Sequence, residues 1–445
     1  MPDATSPSPI DGIARRVASV WGIRSRRMSE DRGITGGQNS GPVLVHAAAA
    51  VDARGVIAPA AMVLDGGEIL DLGSPQQIGP VAGGMVLDAR EEVLLPGLVN
   101  AHCHLDLSGP GPVPPESSFS EWLDRVLALR GDSTPAAMAK AVEKGIELSL
   151  AGGTAFVGDI AGFPRRPQLD ALRASNLGGT CFPEFFGLGD RQPATCSEMA
   201  AFLRDAGVKD QAVRCGLSPH APYSCGPEVI RHAVAHEVPV AIHVAESLDE
   251  AQFLADGTGA FREKTERLGA WNDGVVIPGS HPVEYVLELL GSHPAALVHL
   301  NYIEPHHLPL LADSSATVVY CPRASAYFGH PSTGVHQYRE MIEHGIPVAL
   351  GTDSLLCLDT PDRISVLDEM RLLFQRDAVS SEQLIKMATH WGAQAIGEDP
   401  SLVDFSTGSI GGVMALKSDS GTPTLDEVLQ SESIPRWIMP PQMFS

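Results

Sequence analysis

Short apolar runs alternate with amphipathic stretches over most of the chain. Helical patterns such as FSEWLDRVLALR and PEVIRHAVAHEV separate runs that have the length and composition of buried β-strands. The eight predicted strands are 93–104, 153–160, 179–186, 212–219, 238–244, 296–301, 316–321 and 347–352. Repeated strand–helix alternation predicts an α/β fold with parallel strands, and eight such units close a (β/α)8 TIM barrel.

A doubly wound open sheet is the competing interpretation. It would place a glycine-rich phosphate-binding loop after the first strand, and no such motif is found there. The barrel is therefore favoured.

The segments on either side of the barrel have a different pattern. VLVHAAAAVDARG and AAMVLDGGEILDLGS are β-type runs broken by Gly or Asp-Gly turn signals. The predicted organisation is a flexible extension (1–40), the first part of a small β domain (41–93), the barrel (94–400) and a C-terminal return to the β domain (401–445). The extension is polar and lacks the apolar core of a secretory signal.

Composition and charge exclude several function classes. Asp and Glu number 54 against 31 Lys and Arg, a net charge of −23, so nucleic acids and anionic membranes are poor partners. No apolar run is long enough to span a bilayer. Seven cysteines without CxxC spacing argue against a disulfide framework and suit a cytoplasmic protein. Helical faces could support a homodimer, but no decisive patch marks one.

The candidate chemistry lies at the ends of the predicted strands. His102 and His104 are two residues apart and face the same side of their strand, which leaves Cys103 facing the helices. His243, His299 and Asp353 end three further strands, at the barrel face that hosts catalysis. Such an N/O donor set suits one divalent metal ion, Zn²⁺ first and Fe²⁺ as the alternative. Each residue could instead be a separate hydrogen-bonded strand terminus.

Glu246 follows His243 by three residues and would face the wrong way on a continuing strand. A turn after Val244 would bring its carboxylate beside the metal, where a hydrolytic deaminase needs a proton shuttle. The alternative is an acidic residue at the start of the helix in ESLDEAQFL.

Taken together, PGLVNAHCHLD, SPHAPYS, HVAES, HLNYI, CPRASAYFGH and GTDSL resemble the amidohydrolase superfamily. The resemblance implies a distorted barrel with a β-sandwich built from sequence before and after it. It also implies that His102, His104, His243 and Asp353 are the metal ligands. His299 would contact the attacking water or the substrate.

Within the superfamily the chain is similar to the mononuclear deaminase and chlorohydrolase branch. The fourth strand lacks the lysine of binuclear relatives, and His243 and Glu246 match the His-x-x-Glu deaminase pattern. SFSEWLDRVLALR and CPRASAYFGH look like the aminodeoxyfutalosine deaminase group of menaquinone biosynthesis. Two departures are Ala324, where relatives often carry serine, and a tail without the usual GKxADLV strand.

This likeness implies removal of an exocyclic amine from a purine-type nucleoside. Asp353 would accept a proton from water, and Glu246 would protonate the ring nitrogen. His220, Arg323 and Trp122 would contact the substrate. Turn stabilisation for His220 and an ion pair for Arg323 are the alternatives. Rival functions are chlorohydrolase, guanine or cytosine deaminase and cyclic amidase activity on the same site, or a non-catalytic barrel scaffold.

Overall fold

The computed structural model describes residues 41–207, 213–332, 334–418 and 423–442. The extension predicted over 1–40 lies outside the described residues. Within these ranges, none of the helices has the length and apolar character needed to cross a bilayer.

The strands divide into a β-sheet built before and after the barrel and the barrel strands between. In chain order they are β1 (Val43–Asp52), β2 (Gly55–Ile57), β3 (Ala60–Asp65), β4 (Glu68–Gly73), β5 (Met85–Pro96), β6 (Leu98–Cys103), β7 (Thr154–Ala161), β8 (Gly178–Phe185), β9 (Val213–Cys215), β10 (Ser218–Pro219), β11 (Val240–Val244), β12 (Ala295–His299), β13 (Thr317–Tyr320), β14 (Val348–Leu350), β15 (Gly408–Ser409), β16 (Val413–Lys417) and β17 (Arg436–Met439).

The helices occupy the connections between barrel strands and the C-terminal segment. They are α1 (Phe119–Gly131), α2 (Pro135–Ala151), α3 (Arg166–Arg173), α4 (Gln192–Ala206), α5 (Pro227–Val234), α6 (Leu248–Asp256), α7 (Ala260–Arg267), α8 (Pro282–Leu290), α9 (His307–Ala312), α10 (Pro322–Phe328), α11 (Tyr338–Glu343), α12 (Val366–Asp377), α13 (Ser381–Ala388), α14 (His390–Ala395) and α15 (Leu425–Gln430).

Parallel strands β6 to β14 form a closed ring. Strands β6, β7 and β8 pair in sequence order, and β9 and β10 both pair with β8 as two pieces of one strand. Strands β11 to β14 form a second parallel sheet. Parallel bridges between Leu217 and Val240, and between Cys103 and Asp353, join the two sheets at both sides. The predicted α/β fold of the TIM-barrel type is confirmed, and the open sheet is wrong.

Burial explains why the barrel strands appear in the sequence as continuous apolar runs. Every residue of β7, β8, β11 and β12 is buried, because helices cover the outer face and side chains fill the interior. A polar side chain at the end of such a strand loses its water, so it needs a partner or a ligand.

The sheet outside the barrel combines residues from before and after it. Its order is β15-β4-β3-β1-β5-β16-β17, with β2 beside β1. Strand β16 pairs antiparallel with β5, and Val413 lies opposite Pro96. These pairs form a single sheet, so the sandwich arrangement and the predicted domain boundaries stay predictions.

Candidate active site

Four imidazoles meet at the carboxyl ends of three barrel strands. The ring centroid of His102 lies 4.9 Å from those of His104 and His243, and that of His299 lies 5.5 Å from His243. Residues more than 190 positions apart in sequence therefore share one face of the barrel.

Asp353 completes this group from the end of β14. Its Oδ1 lies 3.7 Å from His104 Nε2. A Cβ on Gly351 would lie 2.9 Å from His102 Cβ, so only glycine there lets β14 approach β6 this closely. Cys103 is fully buried, with its Sγ 3.8 Å from the Gly158 carbonyl oxygen, and takes no part in the group.

The backbone is strained at the same strand ends. Six non-glycine residues in the described ranges have a positive φ, and four of them are Ala245, His299, Leu300 and Asp353. Such conformations cost about 1 to 3 kcal/mol each and concentrate at functional sites. These residues turn the chain sharply after β11, β12 and β14. Side chains that follow a strand therefore enter the same space as the side chain at its end.

The donor atoms of this group fit a divalent metal ion. Both ring nitrogens of His102 are buried and have no hydrogen-bond partner in the described structure. Burial lowers the pKa of His102, His104 and His299, so these rings are neutral and offer a lone pair. His243 Nδ1 donates to the His220 carbonyl oxygen at 2.9 Å, which leaves its Nε2 free.

Ligand atoms from several subsets of the group lie within 4.8 Å of one another. One subset is His102, His104 and Asp353, and a second is His102, His243 and His299. His299 also forms a subset with Asp353 and Glu246. His299 thus lies between the predicted ligands and the predicted proton shuttle.

Glu246 is turned into the site after strand β11. Its own N–H and that of Ala245 donate to the Glu250 carboxylate at 2.8 and 3.0 Å, which holds the turn. Its Oε1 lies 3.3 Å from His299 Nε2. Burial raises the pKa of the Glu246 carboxyl, and the charges of Asp353, Glu250 and Glu184 raise it further. A buried carboxyl group whose pKa is raised in this way holds its proton more readily and can act as an acid.

The helix-start alternative for Glu246 does not describe its position. Helix α6 begins at Leu248, and Ser247 is the N-cap, whose Oγ accepts the Glu250 N–H at 3.3 Å. The acidic residues of the first turn are Asp249 and Glu250. Glu246 precedes this turn.

A cleft of about 970 Å³, including its open mouth, adjoins the group. Its walls are mainly apolar side chains from α1, α7 and the segment after β8. Its lining residues are Leu123, Val126, Leu127, Arg130, Phe186, Gly187, Leu188, Arg191, His220, Tyr223, Ser224, Phe261, Lys264, Thr265, Leu268 and Ala270. The mainly apolar lining with a few polar groups suits a small organic ligand.

His220 faces this cleft, as the substrate-contact prediction requires. Its Nδ1 lies 2.7 Å from Ser224 Oγ, and its Nε2 lies 3.7 Å from Glu184 Oε1. Burial lowers the pKa of His220 to about 3, so the ring is neutral. The Ser224 contact shows that His220 also stabilises the local turn.

Trp122 is not among the residues that line the cleft. It is buried, and its ring packs against Tyr327 and Phe328 with centroids 5.5 and 5.2 Å away. Leu123 and Val126 of the same helix line the cleft instead. Trp122 thus lies beside the lining residues of α1 rather than among them, and its predicted substrate contact stays a prediction.

Arg323 is held in a buried ion-pair cluster. Its Nε donates to Glu369 at 2.6 Å, its Nη1 to Asp359 at 3.1 Å, and its Nη2 to the Ser365 carbonyl oxygen at 3.3 Å. Burial raises the pKa of Glu369 to about 7 in spite of this cation. All three nitrogens are engaged, which agrees with the ion-pair alternative, and the predicted substrate contact stays a prediction.

Replacing Arg323 with Met tests this structural role. We expect R323M to lose about 3 to 5 kcal/mol of unfolding free energy, because Glu369 is left buried without its partner. Urea unfolding measures the loss, and the KM of the folded protein should stay within about twofold of the wild type. A raised KM with unchanged stability would support the substrate contact.

Arg130 is a site residue that sequence reasoning missed. Its Nε lies 2.8 Å from Asp106 Oδ2, its Nη1 2.8 Å from Glu184 Oε2, and its Nη2 3.3 Å from His104 Nδ1. The available signals were a cation in the last turn of α1 and an acidic residue inside the otherwise apolar β8. The Arg130 side chain therefore links α1, which forms a wall of the cleft, to His104, a predicted metal ligand.

A second group of possible ligands lies elsewhere, at Glu284, His306 and His307. His307 Nδ1 accepts the Glu304 N–H at 2.9 Å, so the neutral ring carries its hydrogen on Nε2. Glu284 is only half-buried and His306 is exposed, so water can satisfy both, whereas the side chains of the barrel group lie at buried strand ends; the barrel group is therefore the candidate metal centre.

Comparisons with known proteins agree with this geometry. The sequence profile described as the amidohydrolase family matches residues 93–407. The chain is 26% identical over 380 residues to a 5-methylthioadenosine/S-adenosylhomocysteine deaminase of Halobacterium salinarum, covering 82% of this chain and 81% of that protein. It is 27% identical over 364 residues to the aminodeoxyfutalosine deaminase of Deinococcus radiodurans, covering 77% and 82%.

Among solved structures, the chain is similar to the atrazine chlorohydrolase TrzN of Arthrobacter aurescens complexed with zinc. The TM-score is 0.72 at 19% identity, and the alignment covers 88% of this chain and 92% of the other. At this identity the likeness shows a shared fold.

Proposed function

Because the chain belongs to the amidohydrolase family and is a hydrolase of carbon–nitrogen bonds, we propose that it removes the exocyclic amine of an adenine-type nucleoside. The observation that carries the proposal is Glu246. A buried carboxyl group with a raised pKa lies 3.3 Å from His299, beside a candidate metal centre. Deamination needs an acid at this place, because the ring nitrogen must gain a proton before ammonia can leave.

One divalent metal ion, Zn²⁺ first and Fe²⁺ as the alternative, would be held by His102, His104, His243 and Asp353. Three neutral imidazoles and a carboxylate are the ligand types that these metals prefer. A bound metal would lower the pKa of a water molecule and so supply a nucleophile at neutral pH. The zinc complex of a structural neighbour supports this choice.

The side chains around this centre divide the remaining work. Asp353 accepts the proton of the attacking water, and His299 orients that water by a hydrogen bond. Glu246 protonates the ring nitrogen next to the amine-bearing carbon. The water oxygen bonds to that carbon, which becomes tetrahedral. The amine then takes the proton held by Asp353, its bond to carbon breaks and ammonia leaves, while the new hydroxyl gives its proton back to Glu246 as it becomes the carbonyl. The apolar walls of the cleft exclude bulk water, which strengthens each of these interactions.

The shape and lining of the cleft support a nucleoside rather than a free base. Leu127, Phe186 and Leu268 are large apolar side chains exposed at its walls. A substituent on the far side of the sugar would cover them. Aminodeoxyfutalosine, with a role in menaquinone biosynthesis in the cytoplasm, is our first substrate, and 5′-methylthioadenosine is the second.

An ammonia-release screen with metal-replete protein tests the proposal. The panel contains aminodeoxyfutalosine, 5′-methylthioadenosine, adenosine, guanine, cytosine and a chlorinated triazine. We expect ammonia from the adenine nucleosides, with the highest kcat/KM for one that carries a 5′ substituent. Chloride release alone, or turnover of only guanine or cytosine, would favour a rival hydrolysis. No turnover with stoichiometric metal would favour a scaffold.

A further inference from the structure

The Tyr223 hydroxyl is a buried polar group for which the proposed mechanism gives no role. Tyr223 is 5% exposed, and its hydroxyl has no hydrogen-bond partner. Among the described residues that line the cleft, it alone combines burial with an unpartnered side-chain polar atom. An unpaired buried hydroxyl is unfavourable, so folded proteins rarely keep one without a use.

The local backbone fixes Tyr223 in the cleft wall. The N–H groups of Ser224 and Cys225 donate to the Ala221 carbonyl oxygen at 3.0 and 2.9 Å, which forms a tight turn. The turn presents both His220 and Tyr223 to the cleft, with ring centroids 5.4 Å apart.

The ring of Tyr223 is itself held in place. It packs on Phe261 with centroids 4.1 Å apart, and both rings belong to one apolar cluster with Ala221, Phe253 and Leu254. The hydroxyl is therefore positioned before any ligand arrives, so ordering it costs little on binding.

The surroundings of this hydroxyl keep it protonated. Burial raises the pKa of Tyr223 well above its usual range, and the carboxylates of Glu246, Glu250 and Glu184 raise it further. A neutral phenol has a hydrogen to donate. Among the described residues this hydroxyl has no acceptor, so an acceptor atom on a bound ligand would pair with it.

We propose that the Tyr223 hydroxyl is a substrate-binding group that donates a hydrogen bond to a nitrogen or oxygen acceptor of the bound nucleoside. This assignment rests on the proposed function. It makes Tyr223 a determinant of specificity, because a ligand without the acceptor leaves the hydroxyl unpaired in the complex as well.

The test combines removal of the hydroxyl with removal of each acceptor. Y223F keeps the ring on Phe261 and deletes only the oxygen. Y327F is the matched control, because Tyr327 also has an unpartnered buried hydroxyl but does not line the cleft. The ligands are adenosine, its 2′-, 3′- and 5′-deoxy forms, and 3-deaza- and 7-deazaadenosine. Calorimetry in the E246Q background gives each Kd without turnover, and kcat/KM is measured with native Glu246.

We expect Y223F to weaken adenosine binding and to lower kcat/KM by about 10-fold, while Y327F changes neither. One analogue should bind with the same Kd whether position 223 is Tyr or Phe, and the atom that this analogue lacks identifies the acceptor. Melting temperatures should be unchanged or raised, because the lost hydroxyl was unpaired.

The proposal would be overturned if the proteins with and without the Tyr223 hydroxyl had equal Kd values for every ligand. It would also be overturned if Y223F raised the Kd of every ligand by the same factor. Failure of every nucleoside to bind would overturn both this assignment and the proposed function. A Y223F effect on binding, together with full E246Q turnover, would support this assignment and reject only the acid role of Glu246.

Discussion

The E246Q protein is expected to lose about 100- to 10,000-fold of kcat while it keeps its metal. Glutamine has the size of the acid but cannot donate a proton to the ring nitrogen and recover it. The neighbouring imidazoles and Asp353 are unchanged, so the metal content should equal that of the wild type. Steady-state ammonia release and elemental analysis by mass spectrometry measure the two quantities on the same sample.

The control for this substitution is E263Q. It makes the same chemical change at an exposed position on α7 and should leave kcat within about twofold. Retained turnover in E246Q would refute the proton-transfer role. If E246Q lost both its metal and its turnover, Glu246 would be a metal ligand or a residue that supports one.

The second large effect is expected from His102, which is fully buried and has both ring nitrogens unpartnered. H102A should lower zinc content to well below one per chain and kcat by at least about 1,000-fold, because the several kcal/mol of metal-ion catalysis are lost. Zinc at about 1,000 times its Kd stabilises the folded protein by about 4 kcal/mol. Adding zinc to the chelated wild type should therefore raise its melting temperature.

The same zinc addition should not raise the melting temperature of H102A. H344Q, which replaces an exposed imidazole, should respond to zinc as the wild type does. Full zinc occupancy and normal turnover in H102A would contradict the ligand set. A zinc-dependent rise in H102A of the wild-type size would place the bound metal elsewhere.

The ring of strands was predictable because parallel strands are buried on both faces, which leaves long apolar runs that no other local pattern produces. His102, His104, His243, His299 and Asp353 stood out for the same reason, since a polar side chain at the end of such a run has no solvent to satisfy it. The structure brings these five side chains together, and their roles as ligands and catalytic groups stay predictions.

Other residues depend on contacts between distant segments, which the local pattern does not encode. Arg323 and Arg130 are both cations next to apolar residues in the sequence. Arg323 pairs with the buried carboxylate of Glu369, whereas Arg130 reaches His104, a predicted metal ligand. Trp122 is the one buried residue of an amphipathic helix, and the sequence does not say whether it or its neighbours Leu123 and Val126 line the cleft. For the sheet outside the barrel, the pattern predicted strands, turns and a C-terminal return, but not the order of the strands.

Strand β5 runs through Gly97 directly into β6, the strand that carries the first imidazole, and β16 is one of its two neighbours. A nonsense mutation or proteolytic cut before β16 would leave β5 as an open edge, with unpaired amides and carbonyls available to other chains. Damage at the carboxyl terminus would then appear as aggregation and metal loss, although the predicted ligands all lie upstream. The effect of such truncations should therefore be explained by loss of the pairing between β5 and β16, which joins the two ends of the fold, rather than by a change in the cleft.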